Sequence, residues 1–340
     1  MAVSETFTAD AAVELAVVER SGFDESRHVG SAVLLDPSGT PAASLGAVDE
    51  PVLVRSTLKP LQAIASMRRG AELTGPALGL ATASHRAELR HIDAVADMLA
   101  SAGLDESHLR CPAVAPADRT AREARTAAGR PTSRLHFNCS GKHAAFLLAA
   151  VAGGHPTASY LDPTHPVQQE VGRVVEDFSG GPSLAVGVDG CGAPVHALTL
   201  TALATAISHV VRGADEHSAR LMDGVFAHPW TVEGGDRPNT TVIEELGVFA
   251  KFGAEGVMVM ATRTGWSVAA KCLDGSSRPT TLTALRLLEA SGEVSGEDAQ
   301  RVLDRLVQPV TGGIDDEGRP AVVGRLRDGA ALRSLTGGPR

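Results

Sequence analysis

The stretch Arg55-Ser56-Thr57-Leu58-Lys59-Pro60-Leu61-Gln62 changes periodicity in mid-run. Before it, Pro51 to Val54 is a short apolar run suited to a strand. After it, Leu61, Ile64, Ala65 and Met67 recur at helical spacing, and Gly70 supplies a stop. Pro60 fits the first turn of that helix, where it disrupts little. Ser56 and Lys59 are three apart and share a face, so the ammonium of Lys59 can reach the hydroxyl of Ser56. A serine hydroxyl is a poor nucleophile until its proton is removed. A lysine can remove it where burial and a helix N-terminus depress its pKa. The plainer reading, an N-capping serine ahead of a surface lysine, fits the same four residues.

On the N-terminal side of this junction the chain reads as β-structure. Ala12 to Val18 and Val29 to Leu35 are apolar runs rich in β-branched residues, and Asp36-Pro37-Ser38-Gly39 is a turn ahead of Ala42 to Gly46. The middle is helical by pattern, with runs over 87–102, 140–151, 167–178, 200–211 and 214–226 and a polar helix over 118–128. Leu184 to Val188 reads as a buried strand entering a tight turn. Val257 to Thr262 and Trp266 to Cys272 read as a hairpin about Arg263-Thr264-Gly265. Helices over 280–290 and 296–306 precede a last strand near 321–326. Strands at both ends of a helical middle predict an α+β fold, an antiparallel sheet with a flanking helical cluster. The expected unit is a single catalytic one of two lobes: a sheet lobe from about 1–60 and 250–340, and a mainly helical lobe from about 61–249.

Hydrophobic residues are 43% of the 340 and charged residues 21%, which supplies a sizeable core and rules out global disorder. A formal net charge of -9 argues against coating nucleic acid or anionic lipid. Residues 1–6 lack a basic n-region, and the longest apolar stretch, Ala144 to Ala152, is roughly half a bilayer crossing. Cys111, Cys139, Cys191 and Cys272 form no CxxC pair and read as free thiols of a reducing compartment. The expectation is a soluble cytoplasmic protein with no membrane or nucleic-acid partner.

Only four of the 31 basic residues are lysine: Lys59, Lys142, Lys251 and Lys271. A bias that replaces Lys by Arg wherever a generic cation suffices makes each survivor a candidate for chemistry that needs a neutral amine. His136-Phe137-Asn138-Cys139-Ser140-Gly141-Lys142-His143 opens an apolar helix and combines a thiol, a hydroxyl, an amide, two imidazoles and one of those lysines. Helix capping by Asn138 or Ser140 accounts for part of it, but not for Cys139, Lys142 and His143 on one turn. In Val188-Asp189-Gly190-Cys191-Gly192-Ala193-Pro194, glycines on both sides of a cysteine permit close approach by another group. Ser84-His85 precedes a helix. Lys271 lies near a strand end beside Ala269 and Ala270, followed by Asp274-Gly275.

Together these segments, with Gly187 to Pro194 and Lys251 to Val257, resemble the inducible, zinc-associated L-asparaginase family of the Rhizobium etli type. The resemblance runs in order across nearly the whole chain. It implies a fold like that of serine β-lactamases and penicillin-binding proteins, a homodimer, and hydrolysis of L-asparagine to L-aspartate and ammonia. It implies two Ser–Lys pairs, Ser56 with Lys59 and Ser84 with Lys271, converging on one site. Ser56 with Lys59 is the preferred attacking pair, and the opposite assignment stays open. Cys139, Lys142 and Cys191 match the positions that hold zinc, while Arg55, Asp189 and His143 match positions that contact substrate or support the metal. Lys251 falls in a matching segment without a chemical role. Arg86-Ala87 after Ser84-His85, and the stretch Glu233 to Asn239, depart from the family pattern. Two other readings share some of these features. A β-lactam-binding or peptidoglycan-cleaving serine enzyme has the same Ser-x-x-Lys element but works after export. An amino-acid-binding regulator would keep Arg55 and Asp189 and dispense with the serines and lysines.

Overall fold

The computed structural model describes residues 5–336; the first four residues, part of the stretch searched for a leader, lie outside them. The strands are β1 Val13–Arg20, β2 Phe23–Leu35, β3 Pro41–Leu45, β4 Val52–Leu53, β5 Ala185–Val188, β6 Pro194–Leu198, β7 Phe249–Gly253, β8 Val257–Ala261, β9 Ser267–Cys272, β10 Val310–Ile314 and β11 Pro320–Asp328. The large antiparallel sheet runs β10-β11-β1-β2-β9-β8-β7, with β3 paired to β2. A separate small sheet, β4-β6-β5, joins a strand from just before the first helix to a hairpin from the middle of the chain. The α+β class expected from the sequence is the one observed.

Strand side chains alternate between faces, and both faces are covered over β7, β8, β9 and the second half of β2, whereas the β10–β11 end is largely exposed. Val257, Val259 and Ala261 of β8 join Val33, Leu35 and Ala269 in one core with the main helical cluster. Met258, Met260, Ala32, Leu34, Val268 and Ala270 join a second core on the other face. Helices Thr280–Ala290 and Gly296–Leu306 cover this second face with Leu282, Leu285, Leu288 and Val302. Ser295 starts the latter by accepting from the Asp298 N–H at 3.1 Å. On the first face, helices Lys59–Arg68, Ser140–Ala152, Pro166–Ser179 and Leu200–Val211 bury Leu61, Ile64, Phe146, Val171, Leu203 and Ile207. Each such side chain contributes about 1.5–3 kcal/mol of transfer free energy.

One glycine fixes how closely the site-bearing segments meet. A Cβ on Gly141 would lie 2.4 Å from the carbonyl oxygen of Leu80, so helix Ser140–Ala152 rests directly on the backbone of helix Pro76–Ala81. Three residues after that helix comes Ser84.

The sequence reading of 184–188 as a buried strand is corrected. β5 pairs only with β6, and as the edge of a small sheet it leaves Val186 54% and Val188 81% exposed. Pro51 to Val54 does form a strand, but β4 pairs with β6 rather than with the large sheet. Helices Pro76–Ala81 and Pro238–Leu246 and strands β6, β7 and β10 were not expected. Among the described residues no helix is long and apolar enough to cross a membrane, and the four cysteines are free thiols.

Candidate active site

Arg55–Leu58 is a single 3₁₀ turn that runs straight into helix Lys59–Arg68. Arg55 enters it at φ +49°, a left-handed conformation costly for a residue with a Cβ. The strained backbone aims Arg55 at Asp189, with Nε donating to Oδ1 at 2.8 Å. Burial raises the Asp189 carboxyl, but the cations of Lys142 and Arg55 outweigh it and hold its pKa below the ordinary carboxylate value. Ser56 follows, half-buried, and neither its hydroxyl nor its N–H has a hydrogen-bond partner among the described residues. The end of β7 presses on this turn: a Cβ on Gly253 would lie 3.2 Å from Ser56 N and 3.1 Å from the Val54 oxygen. Only glycine leaves that space open.

Lys59 is almost fully buried and reaches Ser84, donating from Nζ to Oγ at 2.9 Å and also to the Ala83 carbonyl. From the other side, Nζ of Lys251 lies 2.7 Å from the same Oγ. Ser84 thus bridges two buried lysines. Burial, reinforced by the charge of Lys59, pushes the Lys251 ammonium well below the usual lysine value, with Glu233 and Cys139 opposing. Ser84 is held by its N–H to the Val232 carbonyl at 2.8 Å, and the neighbouring Glu233 carbonyl accepts from Arg86 N–H at 3.0 Å. Asn239 accepts from the Phe252 N–H at 3.1 Å, covering the outer edge of β7 beside Lys251. The departing stretch Glu233 to Asn239 therefore backs Ser84 and Lys251.

The expected pairing of Ser84 with Lys271 is not the one present. Lys251 and Lys271 both point to the helical side of the sheet, because their parity matches Phe249 and Ala269. However, Lys271 is level with Val257, which is level with Gly253, so it sits two strands in from β7 and one step further along. Two strand spacings are about 9–10 Å, beyond what the amine must cover to meet Ser84. Its Nζ instead donates to the carbonyls of Glu255 and Cys272, each at 2.6 Å. Burial lowers its pKa as well. Lys271 lines a cavity of about 430 Å³ with Arg55, Glu255, Leu53 and Val186, large enough for a small amino-acid amide. The serines are not in its wall; Arg55, adjoining Ser56, is.

Cys139, Lys142 and Cys191 are brought together, as expected. Lys142 Nζ donates to Cys191 Sγ at 3.0 Å, and the Cys139 and Cys191 thiols are close enough to shift each other's pKa. The neighbouring Cys191 sulfur and the cations of Lys59 and Lys142 lower the Cys139 thiol against its burial, whereas the Cys139 sulfur and burial raise Cys191. Burial works against the Lys142 charge, yet the two sulfurs hold its pKa above the ordinary value. Two thiols and an amine at this spacing are a donor set suited to a borderline-soft ion once Lys142 sheds its proton. His143 lies behind this cluster, fully buried, with Nδ1 2.7 Å from the Tyr160 hydroxyl. Among the residues touching the cavity it has no place.

Lys251 is the residue whose place beside Ser84 sequence reasoning missed. Its scarcity as one of four lysines was the available signal, but the strand that carries it went unrecognised.

A protein-family model described as L-asparaginase II matches residues 16–327. No curated protein sequence matches the chain. Similar solved structures include Mglu in its glutamate form, 14% identical over 78% of this chain and 61% of that one, with a TM-score of 0.47. Mglu in its native form is 13% identical over 78% and 65%, with a TM-score of 0.43. A β-lactamase from Mycobacterium bovis is 16% identical over 81% and 94%, with a TM-score of 0.40. The chain thus spans about three fifths of the length of the first of these.

Proposed function

Since the chain belongs to the L-asparaginase II family, we propose that it hydrolyses the side-chain amide of L-asparagine to L-aspartate and ammonia. The observation that carries this reading is the Ser84 hydroxyl held between two buried lysines, one of which, Lys59, starts the helix that follows the turn of Ser56.

The neutral amine of Lys251 takes the Ser84 hydroxyl proton, and Ser84 Oγ takes one from Lys59. This leaves Lys59 with a lone pair on the face it shares with Ser56. Lys59 then removes the Ser56 proton as Ser56 Oγ attacks the amide carbon, and the C=O π pair moves onto oxygen. The oxyanion is met by the free Ser56 N–H at the start of the helix, with Gly253 keeping that corner open. Lys59 returns the proton to the amide nitrogen, the C–N bond breaks and ammonia leaves. Water attacks the ester by the same relay and releases aspartate and the Ser56 hydroxyl. Arg55 takes the α-carboxylate and Asp189 the α-ammonium. The existing Arg55–Asp189 ion pair has the two charges of a zwitterion already matched. Lys271 adds a cation in the cavity wall on the carboxylate side. His143 supports the thiol cluster from behind.

A zinc ion held by Cys139, Lys142 and Cys191 would supply a fixed positive charge beside Asp189 and need not supply a nucleophile. The working unit is a homodimer in the cytoplasm. The experiment is ammonia release from L-asparagine by the purified chain, with Ser56→Ala and Ser84→Ala compared; turnover that survives Ser56→Ala would reassign the attack to Ser84.

A further inference from the structure

The end of β9 carries a second cluster, on the face of the sheet away from the lysines and serines. Cys272 shares the parity of Val268 and Ala270, which belong to the second core. The β2–β9 register sets Gly30 opposite Cys272, and the Leu273 N–H to Val29 carbonyl bond at 2.9 Å continues it. That continuation brings His28 opposite Asp274, on the face of Cys272. Nδ1 of His28 lies 3.6 Å from Asp274 Oδ2, and Cys272 Sγ lies 3.0 Å from Asp274 Oδ1. One ligand atom from each of the three residues lies within 4.8 Å of the others.

His28 supplies the second observation. It is 9% exposed, and neither ring nitrogen has a hydrogen-bond partner. An imidazole buried with no hydrogen bond, and only the longer 3.6 Å contact to Asp274, loses free energy that water would have returned. Its Nδ1 faces a carboxylate and a thiol rather than a carbonyl. Gly30 keeps the ground beside Cys272 clear, since a Cβ there would come within 3.0 Å of the Cys272 Cα and 2.8 Å of a Leu15 methyl.

We propose that His28, Cys272 and Asp274 form a binding site for a zinc-class divalent ion, separate from the Cys139–Lys142–Cys191 cluster. Ligands at 2.0–2.3 Å from a tetrahedral ion stand about 3.3–3.8 Å from one another, so the observed spacings need only small adjustments. An imidazole, a thiolate and a carboxylate together favour zinc over magnesium or calcium, which prefer all-oxygen shells. Binding expels the Cys272 thiol proton. The half-exposed Asp274 leaves the fourth position open to water. The ion ties β2 to the turn that follows β9, immediately behind Lys271.

The test is zinc content and affinity of the full chain by elemental analysis and competition with a chromophoric chelator. The wild type is compared with Asp274→Ala, His28→Gln and Cys191→Ser. The expected result is that Asp274→Ala and His28→Gln each lose one equivalent, or bind it at least about 100-fold more weakly, while Cys191→Ser keeps it. Asp274 is exposed enough that its replacement leaves the fold intact even if His28→Gln does not fold. Equal zinc content and affinity in the wild type and Asp274→Ala would overturn the proposal. The readout is metal per chain, so it stands or falls independently of asparagine hydrolysis.

Discussion

Lys251 and Ser84 are 167 residues apart in sequence, yet Nζ lies 2.7 Å from Oγ. The contact joins the edge strand of the large sheet to the loop after helix Pro76–Ala81, and Lys59 closes it from the opposite side. In the mechanism proposed above, Lys251 serves as the proton acceptor, Lys59 as the transfer point and Lys271 as a charge in the cavity wall.

Replacing Lys251 by Arg puts a permanent cation where the mechanism needs a neutral amine. The expected effect on asparagine hydrolysis is a fall in kcat of about 10²–10⁴-fold, the span typical of a lost general base. Lys271→Arg is expected to act mainly on KM. Steady-state ammonia release from the two variants checks the division.

The pH profile follows from the sign of the Lys251 shift. Its amine must be unprotonated to accept from Ser84, so kcat/KM rises with pH through the depressed Lys251 value. The limb lies below the ordinary lysine range. A profile measured on Lys251→Met, whatever its residual rate, is expected to lack that limb.

The same shift appears in stability. In the unfolded chain Lys251 binds a proton at any pH below the ordinary lysine value, whereas in the fold burial opposes it. Stability conferred at high pH is lost as pH falls through the window between the ordinary and the depressed values, and levels off below it. Lys251→Met removes that penalty. Thermal unfolding is expected to show a higher Tm than the wild type near neutral pH, with the gain shrinking toward alkaline pH.

Much of the site was legible because local spacing carries it. The turn at Arg55–Leu58, the helix from Lys59 and the thiol–amine group at 139–142 are each short segments whose residue types state their chemistry. What was illegible depended on register between distant strands. Phe249-Ala-Lys-Phe-Gly253 has no alternation of polar and apolar residues, since both faces of β7 are covered, so the strand went unread and Lys251, a rare lysine in a matching segment, had no assigned role. Lys271 carried a stronger local strand signal but sits two strands further in. His143, which the resemblance matches to positions that contact substrate or support the metal, is turned inward by its helix to the Tyr160 hydroxyl.

Gly141→Ala tests the fold around the site. In an open helix the change would stabilise by about 1 kcal/mol. Here the new methyl meets the Leu80 carbonyl oxygen at 2.4 Å, which is backbone and cannot swing away. A net loss of about 1–3 kcal/mol is expected, read as a lowered denaturation midpoint.

Cys191→Ser should uncouple the thiol cluster. Without the Cys191 sulfur, Lys142 loses the partner at 3.0 Å that holds its charge. Zinc bound at this cluster should fall accordingly, while the far-UV circular dichroism stays that of the wild type. Uptake of the ion by the wild type should release protons, measurable in a weakly buffered titration.

The central claim is that the Lys59–Ser84–Lys251 bridge drives amide hydrolysis, and single-variant kinetics on L-asparagine test it most directly. The account predicts ammonia release by the wild type and a fall of at least about 100-fold in kcat for Lys251→Arg. Near-full turnover by Lys251→Arg, with loss confined to Lys271→Arg, would contradict it.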